Sequence, residues 1–401
     1  MRVSTGMLFD TGVGTIQRQT ASLLHTQQQV STGRRILTPS DDPVAAARAL
    51  EATQARELNS QYRTNQDNAR SALGLVESQL AAVGELIQSV EERAVQAGNA
   101  TLSASDRTSI AKELRARFDQ LLGIANATDG TGQFLFSGYQ GHVIPFAGNV
   151  AIGVSYAGDD GQRAVQVAAS RQLEVSDAGS DVFERIRNGN GTFSPTATDG
   201  NTGSGQINAG NVLGSYAGGP FTIAFQTLAG QLNYTVTNAA TGTSTAPSVF
   251  QSGQAIAFDG VNTVSITGTP NIGDTFTIDR SANQSLFQTL SNLITALENP
   301  ITATSTSTEL SNRIGEALVN LSSGLDNVLR VRAAVGSRMS ELDALQGVGE
   351  DLHLQYEQTL SRLQDVDYAQ AISQLTREQI NLEAAQKSFV RVSQLSLFNF
   401  I

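Results

Sequence analysis

Residues 30–50 read VSTGRRILTPSDDPVAAARAL, and the stretch is punctuation between two helices. Gly33 is a natural stop for a helix arriving from the N-terminal side, because glycine takes up the left-handed backbone in which helices end. Asp42 offers a side-chain oxygen to the free N–H groups of a new helix, and Pro43, with no N–H to lose, suits its first position. Upstream, Val13, Ile16, Thr20, Leu23, Gln27 and Val30 recur at alternating steps of three and four, the spacing of a coiled-coil seam thinned by polar residues. Apart from His25, Arg18 is the only ionisable side chain in residues 11–33. Downstream, an Ala-rich helix runs into a longer seam of Leu73, Val76, Leu80, Val83, Ile87, Val90, Ala94 and Ala97, which Gly98-Asn99 ends. Ser103 and Asp106 then form a capping-box-like start for a helix with Ile110, Leu114, Phe118 and Leu121 on one face, closed by Asp129-Gly130.

The second half mirrors the first. From about Asn283, Leu286, Leu290, Leu293, Ile294 and Leu297 make one helical face, which Pro300 breaks. From Glu309 to about Leu363 a stripe of Leu318, Leu321, Leu325, Val328, Val335, Met339 and Leu342 continues, with a break expected near Gly347-Val348-Gly349. Roughly 50 helical residues would span about 75 Å, longer than a compact domain is wide, which predicts a rod. A last helix over 367–393 repeats the N-terminal style with Ile372, Leu375, Gln379, Leu382, Gln386 and Phe389, and no charged side chain follows Val392. Between the helical halves the apolar period changes to two, beginning at Phe134-Leu135-Phe136. Residues 190–280 hold only five charged side chains, Asp199, Asp259, Asp274, Asp279 and Arg280, and their apolar residues alternate (Phe221/Ile223/Phe225, Leu232/Tyr234/Val236, Val264/Ile266, Phe276/Ile278). That pattern predicts half-buried strands in a small inserted β domain.

Composition narrows function. The 401 residues are enough for two to three domains. With 26 basic against 37 acidic residues the net charge is −11, which opposes nucleic-acid binding. There is no cysteine, so disulfides, thiol catalysis and Cys-based zinc sites are excluded. His25, His142 and His353 are far apart and none lies in a metal motif, so no metal or cofactor is expected. Gly12-Val13-Gly14 starts like a dinucleotide fingerprint, but Gln17 stands where its third glycine belongs and no strand precedes it. Gly158-Asp159-Asp160-Gly161 lacks the spaced oxygens of a calcium loop and reads as a turn. Asp365 and Asp367 read as helix caps rather than an acid–base pair. No catalytic set is found, and an enzyme is not expected. Residues 1–10, MRVSTGMLFD, show no apolar signal-peptide region, and no run of about 18 apolar residues predicts membrane insertion.

Both termini are therefore helical, seam-bearing and poor in charge. The plain reading is an antiparallel coiled coil closing the molecule on itself. The sharper one is that the arms also pack against other copies, because Gln, Ser and Thr replace the charges an exposed helix normally carries and are buried more cheaply than ions. Gln27, Gln379 and Gln386 would then be register-setting polar positions in the seams.

The segment 30–50 closely resembles the N-terminal signature of the flagellar hook-associated protein 3 family in the flagellin superfamily. Residues 132–139 (GQFLFSGY), 273–277 (GDTFT), 365–369 (DVDYA) and 395–401 (LSLFNFI) carry the same resemblance. It spans about 1–185 and 280–401; the insert matches only in composition and position. Flagellin itself is the near rival, but its corresponding region typically lacks the Thr-Pro-Ser-Asp-Asp-Pro form and the Phe-rich ending. The resemblance implies an α+β fold of long paired terminal helices with an inserted outer β domain. Its expected divisions are terminal arms at 1–40 and 365–401, a helical rod with a β-hairpin element at 41–185 and 281–364, and the β insert at 186–280. It implies a structural junction protein that is exported unfolded through the flagellar type III channel, without a cleaved signal peptide, to the extracellular flagellum. The implied partners are hook-associated protein 1, flagellin, further copies of the chain and a cytoplasmic export chaperone on the C-terminal arm. The expected assembly interface is Val13, Ile16, Leu23, Val30, Ile372, Leu375, Leu382, Phe389, Val392, Leu395, Leu397, Phe398 and Phe400. A rival of another class is an adhesive or glycan-binding protein acting through the insert, though Tyr216, Phe221 and Tyr234 are scattered and there is no Trp.

Overall fold

The structure is a computed structural model that describes residues 5–299 and 307–398. Six helices appear in chain order: α1 Thr5–Thr32, α2 Pro43–Ala97, α3 Ala104–Ala125, α4 Leu286–Glu298, α5 Ser307–Gln364 and α6 Tyr368–Phe398. Among the described residues fifteen strands occur, all between α3 and α4. They are β1 Phe146–Asn149, β2 Gly153–Tyr156, β3 Ala164–Ala168, β4 Arg171–Glu174, β5 Ile186–Arg187, β6 Phe193–Ala197, β7 Gln206–Ile207, β8 Phe221–Leu228, β9 Gln231–Asn238, β10 Thr243–Ser244, β11 Ser248–Val249, β12 Ala255–Ala257, β13 Thr263–Thr267, β14 Thr275–Arg280 and β15 Asn283–Gln284. The chain divides into two compact units, Met1–Thr64 with Ala344–Ile401, and Asn65–Asp343.

The first unit contains α1, α6 and the adjoining parts of α2 and α5. Gly33 ends α1 at φ +71°, and its carbonyl accepts from Val366 N–H at 3.0 Å, which ties the stop of α1 to the start of α6. Asp42 Oδ1 accepts from Ala45 N–H at 3.0 Å ahead of Pro43, as the local chemistry predicts. Asp367 Oδ1 accepts from Gln370 N–H at 3.1 Å and so caps α6. The break expected at Gly347–Gly349 is absent: α5 runs unbroken for 58 residues. Tertiary contact overrides glycine's weak helix propensity there, because Gly349 is buried and its carbonyl accepts from Asn59 Nδ2 at 2.8 Å. Pro300, the expected breaker after α4, lies outside the described residues; α4 ends at Glu298.

The second unit holds the long seam. Leu73, Val76, Leu80, Val83, Ile87, Val90, Ala94 and Ala97 on α2 are all buried, as are Leu321, Val328, Val335 and Leu342 on α5. Each such Leu, Ile or Val contributes about 1.5–3 kcal/mol by leaving water. The capping box forms as predicted, with Asp106 N–H donating to Ser103 Oγ and Ser103 N–H to Asp106 Oδ2. An aromatic cluster of Phe118, Phe136, Phe146, Phe183 and Phe287 joins α3, the loop before β1, the β1–β2 hairpin, a π turn at Ser180–Glu184 and α4. Residues 134–136, where strand was expected to begin, are a bridged loop whose Leu135 and Phe136 are buried; the first strand is β1. Asp159 Oδ1 accepts from Tyr139 and Gly161 N–H groups, so the Gly158–Gly161 stretch is a side-chain-braced turn. The β3–β4 hairpin is fastened to α5 by Arg171–Glu341 at 2.5 Å, and the segment after it by Arg338–Asp177 at 2.6 Å.

The insert is a β module with its own core. One sheet runs β10-β9-β8-β14-β6, with β11 also on β9, and a second runs β12-β13-β7. The predicted alternation holds: Phe221, Ile223, Phe225, Val236, Val264, Ile266, Phe276 and Ile278 are buried in one cluster. The short β5–β15 pair, Ile186↔Gln284 and Arg187↔Asn283, holds its entry and exit together. Two of its rare charges brace loops, since Asp274 accepts from Thr202, Gly203 and Asn271 N–H groups, and Asp259 from Val261 and Asn262. Tyr216 and Phe221 belong to this core at 6% and 4% exposure, so they form no surface platform for a sugar.

Candidate assembly interface

Antiparallel pairing of α1 with α6 follows from residue partners whose numbers rise on one helix as they fall on the other. The Phe9 and Phe389 rings pack tilted with centroids 5.1 Å apart, Ser22 Oγ donates to Glu378 Oε1 at 3.0 Å, and Gly33 lies beside Tyr368. The glycine that starts Gly12-Val13-Gly14 has a packing reason. A Cβ on Gly12 would stand 2.6 Å from Phe389 Cδ2, so the helices approach closely only because that position is bare.

The structure sorts the predicted interface residues into two groups. Val13, Ile16, Leu23, Val30, Leu375, Leu382 and Phe389 are half-buried, while Thr26 and Ala371 are buried. Leu375, Leu382 and Phe389 lie at seven-residue intervals with Ala371 and Glu378 between their lines, which places them on one α6 face. Ile372 and Val392 lie elsewhere on α6 and are 52% and 51% exposed. Leu395, Leu397 and Phe398 continue the helix, but their side chains, and all of Phe400, lie outside what the structure describes.

Sequence reading missed part of the outward face. Ile380 and Val390 on α6 and Phe9 and Leu24 on α1 are also exposed, at 60%, 50%, 54% and 52%. Ile372 and Val390 are eighteen residues apart, five full turns, and so lie on one line. Ile380 lies about 80° from that line, so the exposed apolar residues of α6 are spread over its outer surface, and reading a single seam hides them.

The expected register positions need correction. Gln27, Gln379 and Gln386 are exposed and stand outside the α1–α6 contact. Polar residues in the contact are Glu378 of α6 with Ser22 and buried Thr26 of α1, and Glu378 also accepts from Gln374 Nε2 at 3.0 Å. Burial pushes its carboxyl up, but hydrogen bonds from Gln374, Thr26 and Ser22 together hold it below the ordinary glutamate value. The α1–α2 loop is braced in turn. Asp41 Oδ2 accepts from Leu37 and Thr38 N–H groups, His25 lies 3.2 Å from Asp41, and Arg35 reaches both Asp42 and the Leu363 carbonyl. The signature at 30–50 is thus a knot holding the start of α2 to the end of α5. Among the described residues no cluster of ligating side chains could hold a metal, and no helix is long and apolar enough to cross a membrane.

Comparison with known proteins agrees with this architecture. Residues 3–141 match the bacterial flagellin N-terminal helical region. The flagellar hook-associated protein 3 of Salmonella typhimurium is 29% identical over 399 residues, covering 99% of both chains. The crystal structure of Xanthomonas campestris FlgL is 30% identical with a TM-score of 0.70, covering 77% of this chain and 99% of that one. The flagellar junction protein FlgL from Legionella pneumophila is 29% identical with a TM-score of 0.71, covering 79% and 100%. With long terminal helices around a central β-rich region and full-length similarity to such proteins, the chain belongs to the flagellar hook-associated protein 3 family of the flagellin superfamily.

Proposed function

We propose that this chain is the structural protein that joins hook to filament in a bacterial flagellum, polymerising through its terminal helices. The observation that carries the reading is the two-faced arm. One face of α6 packs on α1, and its outer surface exposes Ile372, Ile380 and Val390 among the charged side chains Arg377, Glu383, Lys387 and Arg391. Three large apolar residues on the outer surface of a helix whose inner face is already packed, beside the exposed Glu383–Lys387 pair, offer a neighbouring subunit both apolar area and ionic partners. On this reading the half-buried residues from Val13 to Phe389 hold the arms together within a subunit, and the outward ones contact other subunits, with Leu395, Leu397, Phe398 and Phe400 extending the surface. The subunits in contact are further copies, hook-associated protein 1 on the hook side and flagellin on the filament side. The chain travels unfolded through the type III channel, with a chaperone covering the C-terminal arm beforehand, and it has a structural rather than an enzymatic role. The arms at 1–40 and 365–401 assemble, 41–185 and 281–364 support them, and the module at 186–280 is separable.

An in-frame deletion strain viewed by electron microscopy tests this. Bare hooks with flagellin shed into the medium are expected, and filaments attached in normal number would refute it. A chain in which a Gly/Ser bridge replaces 190–280 should restore attachment; failure to do so while the chain is still exported would refute separability.

A further inference from the structure

The β module sits on α5 through a polar seat. Gly189 N–H donates to Asn320 Oδ1 at 2.8 Å, Ile207 N–H to Asn312 Oδ1 at 3.1 Å, and Asn312 Nδ2 to the Gly205 carbonyl at 3.0 Å. Between these bonds lies a cavity of about 180 Å³ lined by Ser194, Thr196, Asn208, Arg313, Glu316 and Asn320. Glu316 also lines a smaller cleft towards Gln284, Thr289 and Asn292. Among the described residues no hydrogen bond reaches its carboxylate. Arg313, one turn earlier on α5, is directed elsewhere, pairing with Asp199 of the β6–β7 loop and lying 3.6 Å from Glu309. These are the charged groups facing Glu316: Arg313 and Glu309 from α5, and Asp199 from the module. The facing parts of α4, β15, β6 and β7 offer only neutral side chains.

We propose that Glu316 is a proton-operated latch in this seat: neutral, it lets the β module close on α5, and ionised, it holds the seat ajar. A half-buried carboxylate beside a cavity and a second carboxylate is costlier to keep charged than one in open water, while its acid form can donate to the lining oxygens. Burial raises its pKa above the ordinary glutamate value, Arg313 partly opposes this, and Asp199 adds to it. An acid raised in the seated form stabilises seating fully below its released pKa, and that stability is lost as pH rises through the raised value. The module's attachment therefore tightens in mild acid and loosens towards neutral and alkaline pH.

Hydrogen exchange on the full chain tests the latch at the Gly189 and Ile207 amides, which bridge module and helix. Protection, corrected for the intrinsic pH dependence of exchange, should fall as pH rises, by about tenfold for each unit separating the seated and released pKa values. Glu316→Gln should show the acid-side protection at every pH. Glu309→Gln, which removes a carboxylate near Arg313 and leaves Glu316 titratable, should shift the level and keep the slope. A flat wild-type profile, an unchanged slope in Glu316→Gln, or a slope abolished by Glu309→Gln would each overturn the proposal.

Discussion

Gly12 and Gly14 stand two residues apart on α1, yet alanine should act in opposite directions at the two positions. In a helix interior Gly→Ala stabilises by about 1 kcal/mol through backbone entropy. At Gly14 nothing lies within 4 Å of the added Cβ, so that gain should appear nearly whole. At Gly12 the Cβ would meet Phe389 Cδ2 at 2.6 Å and Cε2 at 2.8 Å, closer than carbon atoms approach. The ring must swing away from its 5.1 Å tilted packing on Phe9, or the helices must part. Such overpacking typically costs about 1–3 kcal/mol, so the net effect is a loss of about 1 kcal/mol. The assay is hydrogen exchange over α1 and α6 in dilute full-length protein. Gly12→Ala should lower protection about fivefold, Gly14→Ala should raise it by a similar factor, and Phe389→Leu should relieve the Gly12→Ala penalty. Equal stabilisation by both alanines would refute the close α1–α6 approach.

Three further outcomes follow from the same structure. The arm pairing should survive above the ordinary glutamate value of 4.5 and weaken as pH falls through the lowered pKa of Glu378; exchange over α6 reads this, and Glu378→Gln should remove the acid-side loss. Arg338 and Asp177 are 12% and 10% exposed, so Asp177→Asn or Arg338→Met alone should cost about 3 kcal/mol by stranding the other charge, and the double variant should cost about the same as one. Simple additivity in urea melts would show that the two do not act as a pair. Ala229 turns the β8–β9 hairpin at φ 52°, a strained value for a residue with a Cβ, so Ala229→Gly should raise the β module's stability by about 1 kcal/mol in thermal melts.

The elements legible in the sequence were those set by local chemistry. Gly33, Asp42, Pro43, Ser103 and Asp106 act where they stand in the chain, and alternation in β8, β9, β13 and β14 is fixed by having one face in a core. What could not be read depends on what lies opposite. The break expected at Gly347–Gly349 is filled by Asn59, almost three hundred residues earlier. Gln27, Gln379 and Gln386 fit a seam by spacing, but the helix phase turns them outward, and Glu378 takes the polar position instead. Gly12 looked like a fragment of a nucleotide motif until Phe389 was placed beside it. The outward exposure of Ile380 and Val390 was not read, because a helix with apolar residues on two sides reads as one seam when a single partner is assumed.

The central claim is that assembly runs through the outward face of the arms, and Ile380→Asp tests it most directly. Ile380 is 60% exposed, so the monomer's stability should change by no more than about 0.5 kcal/mol. In an assembled layer the same carboxylate would be buried without a partner, at a cost of several kcal/mol. The measurement is an electron-microscopic count of hooks bearing filaments in cells whose only copy carries Ile380→Asp, with the exported variant recovered folded from the medium. Bare hooks beside normally exported, folded variant are predicted; filaments in wild-type number would contradict the claim.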